Sequence, residues 1–475
     1  MRKVDVAVIG AGTAGLNARS EVVKCGGSVV LIEHGPYGTT CARVGCMPSK
    51  LLVAAAERAR AVRGAPTFGV HAAGGLEIDG RAVMARVQRE RDRFAGGMVR
   101  ATEALPEEER LRGHARFVGP TSLEVEGERI EAGAVVIAAG SSPWLPPPFD
   151  DLAEHVLTSD TIFELADLPA SLAVIGTGVI ALELGQAMAQ LGVAVAFFNP
   201  FDDLGPFSDP ELMEAARSIL GAELELHLEA EIREVQADND GLHLHWRAAD
   251  GTSHHRHFAR VLVAAGRRPN LAGLGLAATG LTLDDQGRPP WNPETAQCGD
   301  LPIFMAGDVG GGTGLLHEAA DEGRIAGANA LLYPRVESHR RRTPLAIAFT
   351  DPQMAIVGRR FADLDPEEVA TGAISYADQG RARVMAEDRG LVRLYARRGC
   401  GTFLGAEMLG PRVEHMAHLL AWSCQQGLSV PRMLEMPFYH PVLEEGLRTA
   451  LRALAKELDM VSTRRCEDTA DKPGC

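Results

Sequence analysis

The chain has 475 residues, 46% of them hydrophobic and 23% charged, and a formal net charge of −15. That length accommodates about three domains, and the composition is ordinary for a globular enzyme. The acidic balance argues against a nucleic-acid partner, which needs a basic surface, and no apolar run reaches the roughly 20 residues of a membrane helix.

The first element is an apolar strand, Val4 to Ile9, followed by Gly10-Ala11-Gly12-Thr13-Ala14-Gly15, a helix-like stretch from Leu16 to Cys25 and a second strand, Val29 to Ile32, ending at Glu33. Because the opening apolar run reads as a strand, the basic Met1-Arg2-Lys3 does not begin an export signal. Each residue type in the loop has a physical reason. Gly10 permits the tight turn, Gly12 lets a pyrophosphate approach the backbone, and Gly15 lets helix and strand pack closely. The helix N-terminus attracts phosphate charge, and Glu33 can accept from a ribose diol. Strand, glycines, helix, strand and acid in this order predict a dinucleotide site.

Next comes Cys41-Ala42-Arg43-Val44-Gly45-Cys46-Met47-Pro48-Ser49-Lys50. Two thiols at this spacing can close a small ring if a helical first turn brings them together. Beside an electron-carrying cofactor, such a pair is a redox tool. A structural zinc site would need four ligands, usually in two pairs, and the other six of the 8 cysteines are isolated in the sequence. That scatter suits a reducing cytoplasm. Arg43 either depresses the first thiol's pKa or faces solvent.

Ser142-Pro143-Trp144-Leu145-Pro146-Pro147-Pro148 reads as a linker. Beyond it the fingerprint recurs: Leu172 to Ile175, then Gly176-Thr177-Gly178-Val179-Ile180-Ala181, a helix-like stretch, and Val193 to Phe198 ending at Asn199. Gly10 to Glu33 and Gly176 to Asn199 are both 23 positions. Two such units imply two dinucleotides, of which one can be a tightly held flavin and the other a diffusible nicotinamide. An acid at 199 would select NAD and an arginine NADP; Asn199 does neither. Asp202 and Asp203 nearby would repel a 2′-phosphate, so NAD is favoured over NADP. A third unit opens at Arg341, with strand-like Leu391 to Tyr395 and helix-like Val413 to Gln426, suggesting an α+β domain. The polar stretch Thr463 to Cys475 reads as a frayed tail.

The motifs in order resemble the class I pyridine nucleotide-disulfide oxidoreductases, and within them the dihydrolipoamide dehydrogenase branch. They are the first fingerprint with Glu33, the Cys41–Cys46 run, Ala138 to Pro143, the second fingerprint with Glu183, Ala265 to Asn270, Phe304 to Asp308, and His440-Pro441 with Glu445. The resemblance implies an α/β fold with two Rossmann-like dinucleotide-binding domains, one for FAD and one for NAD, plus a C-terminal α+β dimerisation domain. The expected division is residues 1–150 and 272–340 for FAD, 151–271 for the nicotinamide nucleotide and 341–475 for dimerisation. FAD contacts are implied for Gly10, Gly12, Gly15, Glu33, Lys50, Ala115, Gly140, Asp308 and Leu316. For the nicotinamide nucleotide they are implied for Gly176, Gly178, Val179, Glu183, Asn199, Ile232 and Gly266.

The resemblance also implies roles. Cys41 is the interchange thiol, Cys46 the sulfur facing the flavin, and His440 the proton acceptor oriented by Glu445. Lys50 lies near the reacting flavin nitrogen, paired with Glu183. A homodimer with active sites shared between subunits is implied, acting on a small-molecule or protein-bound dithiol. Mercuric reductase is the rival within the fold, but it would bring a C-terminal cysteine pair and a tyrosine where His440 stands. A non-catalytic binding protein on this scaffold is the rival outside enzymology; it predicts decay of at least one working group, and all six are present.

Overall fold

The computed structural model describes residues 1–460 except Ala72 and Thr313, so the expected tail beyond 463 lies outside the described residues. Two compact units emerge, one built from residues 1–55, 77–169 and 260–341, the other from 56–76, 170–259 and 342 onward. Among the described residues no helix is long and apolar enough to cross a membrane.

The first unit is built on a seven-stranded sheet. Its path runs Arg110–Arg112, Val29–Glu33, Arg2–Ile9, Glu128–Ile137, Ser122–Val125, Ala115–Phe117, and Ile303–Met305 adds alongside Glu128–Ile137. The four strands that matter for the site are mutually parallel. Apolar side chains on both faces explain why. Val6 and Val8 enter one core with Ala14, Ala18 and Ala326 of the flanking helices. Ala7 and Ile9 enter another with Phe117, Leu123 and Leu274. A sheet covered on both faces is the setting parallel strands require. Registers Ile9↔Ile32, Ile9↔Ile137 and Met305↔Ile137 bring four carboxyl ends to one level. Gly10, Glu33, Ala138 and Ala306 follow directly, which is where open α/β sheets bind ligands.

The second unit repeats the theme on a smaller scale. Ser171–Ile175, Ala194–Phe198 and Glu225–His227 are parallel, with the helix Val179–Gln190 between the first two. A three-stranded antiparallel sheet follows: Glu231–Ala237, Leu242–Arg247 and Ser253–Phe258. The C-terminal part is a five-stranded antiparallel sheet, in order Leu345–Ala348, Gln353–Gly358, Phe403–Gly410, Leu391–Arg397, Val369–Ser375. Helices Val413–Gln425 and Glu445–Glu457 bury Met416, Leu420, Leu447, Leu451 and Leu454 in its core. Deep in this unit, fully buried Glu407 accepts from the Ser208, Asp209 and Phe361 amides and the Ser208 hydroxyl. Asp209 accepts in turn from Arg393 and Tyr395. Burial and these carboxylates push the Tyr395 phenol well above its ordinary range.

Candidate active site

The first glycine loop separates what the chain needs from what a ligand needs. Gly10 has φ +107°, and a Cβ there would lie 2.3 Å from the Ala138 carbonyl oxygen. A Cβ on Gly15 would lie 1.8 Å from the Gly10 carbonyl oxygen. Folding alone demands these two glycines. A Cβ on Gly12 would meet nothing within 4 Å, so that glycine leaves open space. Gly12 also caps the helix Thr13–Lys24 without any side-chain cap. Free amides at a helix start, facing open space, are an anion cradle.

Glu33 steadies this cradle, accepting from the Ala11 amide at 2.8 Å and the Gly35 amide at 2.7 Å. Asp308 accepts from Ser141 Oγ at 3.1 Å, and Ser141 is held by Arg267 Nε at 2.9 Å. Gly140, with φ +68°, also has open space before it. The donor and acceptor set fits FAD: amides and a helix start for phosphate, carboxylates for hydroxyls. Ala115 is buried within a strand, so only its backbone is left for a ligand, whereas Leu316 is exposed at the start of the helix Leu316–Leu332.

The thiol pair stands on two consecutive short-range devices. Cys41 lies in the short helix Thr40–Arg43, whose start is capped by Thr39 Oγ1 accepting from the Ala42 amide at 3.3 Å. Cys46 begins the helix Cys46–Gly64, where Pro48 falls in a turn that needs no donor from it. Between them, a Cβ on Gly45 would sit 3.2 Å from Cys41 Cα. Glycine at 45 spares the backbone between the two thiols that tight contact, a role sequence reading missed although the residue stands between the cysteines.

The structure carries the pair as thiols in hydrogen-bonding contact. That contact, then burial and the charge of Cys46, raise the Cys41 pKa, while the Cys46 amide and the Lys50 ammonium act the other way. Arg43 Nη1 donates to the Pro36 carbonyl at 3.2 Å.

The second loop has the same form. Gly176 has φ +107°, and Gly178 starts the helix Val179–Gln190 with no side-chain cap and nothing within 4 Å of an added Cβ. Half-buried Val179 leads that helix. Glu183, 5% exposed, accepts from the Phe349 amide at 3.0 Å. Gly266, at φ +118°, is open in front, and Ile232 is half-buried on the strand Glu231–Ala237.

Asn199 is a different matter. It is buried, and its Nδ2 donates to Thr177 Oγ1 at 2.6 Å, the Asp203 carbonyl at 3.1 Å and Asp203 Oδ1 at 2.7 Å. It ties the glycine loop to the Asp203 turn. Beside it, Arg217 donates to Asp202 Oδ2 at 2.7 Å, a basic neighbour that is 15 positions away and so invisible in the local segment.

His440 and Glu445 are brought together. His440 Nδ1 lies 3.0 Å from Glu445 Oε2 and 3.2 Å from Oε1. A carboxylate can only accept, so Nδ1 carries the hydrogen and Nε2 presents the lone pair. Glu445, first residue of the helix Glu445–Glu457, is itself held by Arg448 Nη2 at 3.3 Å and by the Val442 amide at 3.4 Å. Arg448 is one helical turn beyond Glu445, a spacing that could have flagged it.

These features agree with the comparisons. Residues 4–323 match the pyridine nucleotide-disulphide oxidoreductase model, and residues 345–451 match the dimerisation domain of the same family. The chain is 31% identical to a dihydrolipoyl dehydrogenase from Thermus scotoductus, over 96% of this chain and 98% of that one. It is also 31% identical to a mercuric reductase from Shigella flexneri, over 97% of this chain and 82% of the other. Among solved structures, LpdA from Mycobacterium tuberculosis superposes with a TM-score of 0.80 at 24% identity, covering 95% and 99% of the two chains. The expected fold and enzyme class hold, and family membership implies FAD and a nicotinamide nucleotide as cofactors. The chain belongs to the pyridine nucleotide-disulphide oxidoreductase family, as a flavoprotein disulfide oxidoreductase.

Proposed function

We propose that this enzyme is a dihydrolipoyl dehydrogenase-type catalyst that oxidises a dithiol at the expense of NAD+. The observation that carries the reading is the Cys41–Cys46 thiol pair, held in contact at a helix start that follows the first dinucleotide loop.

In the oxidised enzyme the pair is a disulfide. A substrate thiolate attacks Cys41 Sγ, the Cys41–Cys46 bond breaks, and Cys46 leaves as a thiolate at the positive end of its helix. The second substrate thiolate attacks the substrate sulfur of that mixed disulfide and releases Cys41. His440 Nε2 takes the substrate thiol's proton, with Nδ1–H fixed by Glu445. Bound FAD would supply the electron relay from the dithiol to the nicotinamide. Gly12, Glu33 and Asp308 would hold it and Lys50 would place a positive charge beside it, while Glu183 is the acidic partner that the family resemblance gives Lys50. The nicotinamide nucleotide binds at Gly178 and Val179. Arg217 offsets the charge of Asp202, which leaves Asp203 as the group that disfavours an added 2′-phosphate and favours NAD. The chain acts in the cytoplasm as a homodimer, with His440 of one subunit serving Cys41 of the other.

Equal identity to a dihydrolipoyl dehydrogenase and a mercuric reductase does not choose between them. The His440–Glu445 pair favours dithiol chemistry, because the step it serves is removal of a thiol proton. The test is steady-state turnover of purified holoenzyme on dihydrolipoamide, glutathione disulfide and mercuric ion, each with NAD and NADP nucleotides. Dihydrolipoamide with NAD+ should give the highest kcat/KM. A higher value for mercuric ion would overturn the assignment. Mixed dimers of His440→Gln and Cys41→Ser subunits should regain dithiol turnover; confirmed mixed dimers without it would place both groups in one chain.

A further inference from the structure

The three-stranded antiparallel sheet of the second unit carries a feature that disulfide chemistry does not use. Five of the chain's 15 histidines fall within residues 243–257. On the strands Leu242–Arg247 and Ser253–Phe258 the register pairs His243 with His257 and His245 with His255. Positions two apart on a strand share a face, so four imidazoles form two cross-strand rows on one side. The other side buries Leu242, Leu244, Trp246 and Phe258. The histidine face is therefore the outer one, with His243 half-buried and His257 exposed.

One row converges on a carboxylate. Asp238 lies in the turn that joins the first two strands. Its Oδ1 accepts from the Asp240 and Gly241 amides, both at 2.8 Å, which fixes the carboxylate's direction. Its Oδ2 lies 2.9 Å from His243 Nε2, and Oδ1 lies 3.7 Å from His257 Nε2. One ligand-type atom from each of the three residues lies within 4.8 Å of the other two. Tetrahedral coordination with metal bonds of about 2.0–2.1 Å separates ligand atoms by about 3.3 Å, so modest side-chain rotation closes the set around one ion.

We propose that Asp238, His243 and His257 form a binding site for a divalent transition-metal ion of borderline softness, Zn2+ or Cu2+, with water completing its coordination. Two imidazoles and a carboxylate are the donor set such ions prefer, while Mg2+ and Ca2+ prefer all-oxygen sites. The His245–His255 pair, with ring centroids 5.6 Å apart, extends the same face by one register step.

The test uses the full-length holoenzyme without a polyhistidine tag, its accessible thiols blocked with N-ethylmaleimide, and Zn2+ as the redox-inert probe. Calorimetric titration should show one equivalent that is lost in His243→Ala/His257→Ala. Losing an outer-shell partner of a metal typically costs about 10–100-fold in affinity, and loss of two direct ligands should cost more. Asp238→Asn, which keeps the side-chain shape and the oxygen facing the Asp240 and Gly241 amides but replaces the charged ligand oxygen by an NH2 group, should weaken the same equivalent and decides the matter if the double variant is less stable. The zinc absorption edge should report nitrogen and oxygen near 2.0–2.1 Å and no sulfur near about 2.3 Å. Unchanged stoichiometry and affinity in both variants, or a sulfur shell, would overturn the proposal.

Discussion

Replacing His440 by Gln tests the proton-transfer assignment most directly. The side chain keeps a similar reach and can still bond to Glu445, but it has no basic lone pair to present. Loss of a general base costs about 10²–10⁴-fold in rate, equivalent to about 2.7–5.4 kcal/mol at about 1.36 kcal/mol per decade. The loss should fall on the dithiol half-reaction. Diaphorase turnover, nicotinamide to an artificial acceptor, needs no thiol proton and should survive. Glu445→Gln is a graded companion. It keeps one acceptor for Nδ1–H, removes the charge and turns the other oxygen into an NH2 donor facing Arg448 or the Val442 amide. The His440 side chain is 63% exposed in the single chain, where an open ion pair contributes about 0.2–1 kcal/mol, or roughly 1.5–5-fold in rate. Cover from a partner subunit would raise that figure, but it should stay below the His440 effect. Stopped-flow reduction by dihydrolipoamide, set beside a diaphorase assay, separates the halves. Dithiol reduction within a few-fold of normal in His440→Gln, or diaphorase loss in step with it, would refute the reasoning.

Three further outcomes are expected. Cys46→Ser should lack the long-wavelength absorbance of a thiolate beside oxidised flavin after two-electron reduction, whereas Cys41→Ser should show it without reductant; identical spectra would reverse or remove the role assignment. Gly12→Val should fold, since nothing lies within 4 Å of an added Cβ, yet be purified with little yellow flavin, while Gly15→Val should fail to fold around its 1.8 Å clash; full flavin content in Gly12→Val would disprove the cradle. Glu407→Leu, by leaving buried amides of Ser208, Asp209 and Phe361 unpaired, should lower unfolding free energy by about 3–5 kcal/mol in urea titration, and a change below about 1 kcal/mol would show that the network relaxes.

The parts legible in sequence were those whose physics is local. A strand, a glycine turn and a helix start are contiguous, so both dinucleotide loops could be read from Gly10 to Glu33 and from Gly176 to Asn199. The His440–Glu445 contact spans five positions and leaned on family pattern, and the structure places the two groups at 3.0 Å. What escaped depends on approach between distant segments. The Gly10 requirement comes from Ala138, more than a hundred residues away. Arg217 reaches Asp202 from a helix, and Arg43 turns back to Pro36, neither direction being encoded in residue type. The histidine rows were invisible for the same reason, since they arise only when cross-strand register aligns 243 with 257.

The Asn199 amide, shared between Thr177 and Asp203, constrains how coenzyme preference could evolve. A strand-end acid is the usual route to recognising an unphosphorylated ribose. Here Asn199→Asp would set two carboxylates about where Nδ2 and Oδ1 now stand, 2.7 Å apart, an arrangement in which like charges cannot both remain ionised without penalty. The step becomes accessible only after Asp203 has changed, and changing Asp203 first removes an acceptor that Asn199 already uses. Losing the Asp203 carboxylate first still leaves Asn199 the Thr177 hydroxyl and the Asp203 carbonyl as acceptors. The two positions are therefore epistatic in one order: an acid at 199 is open only once the carboxylate at 203 has gone.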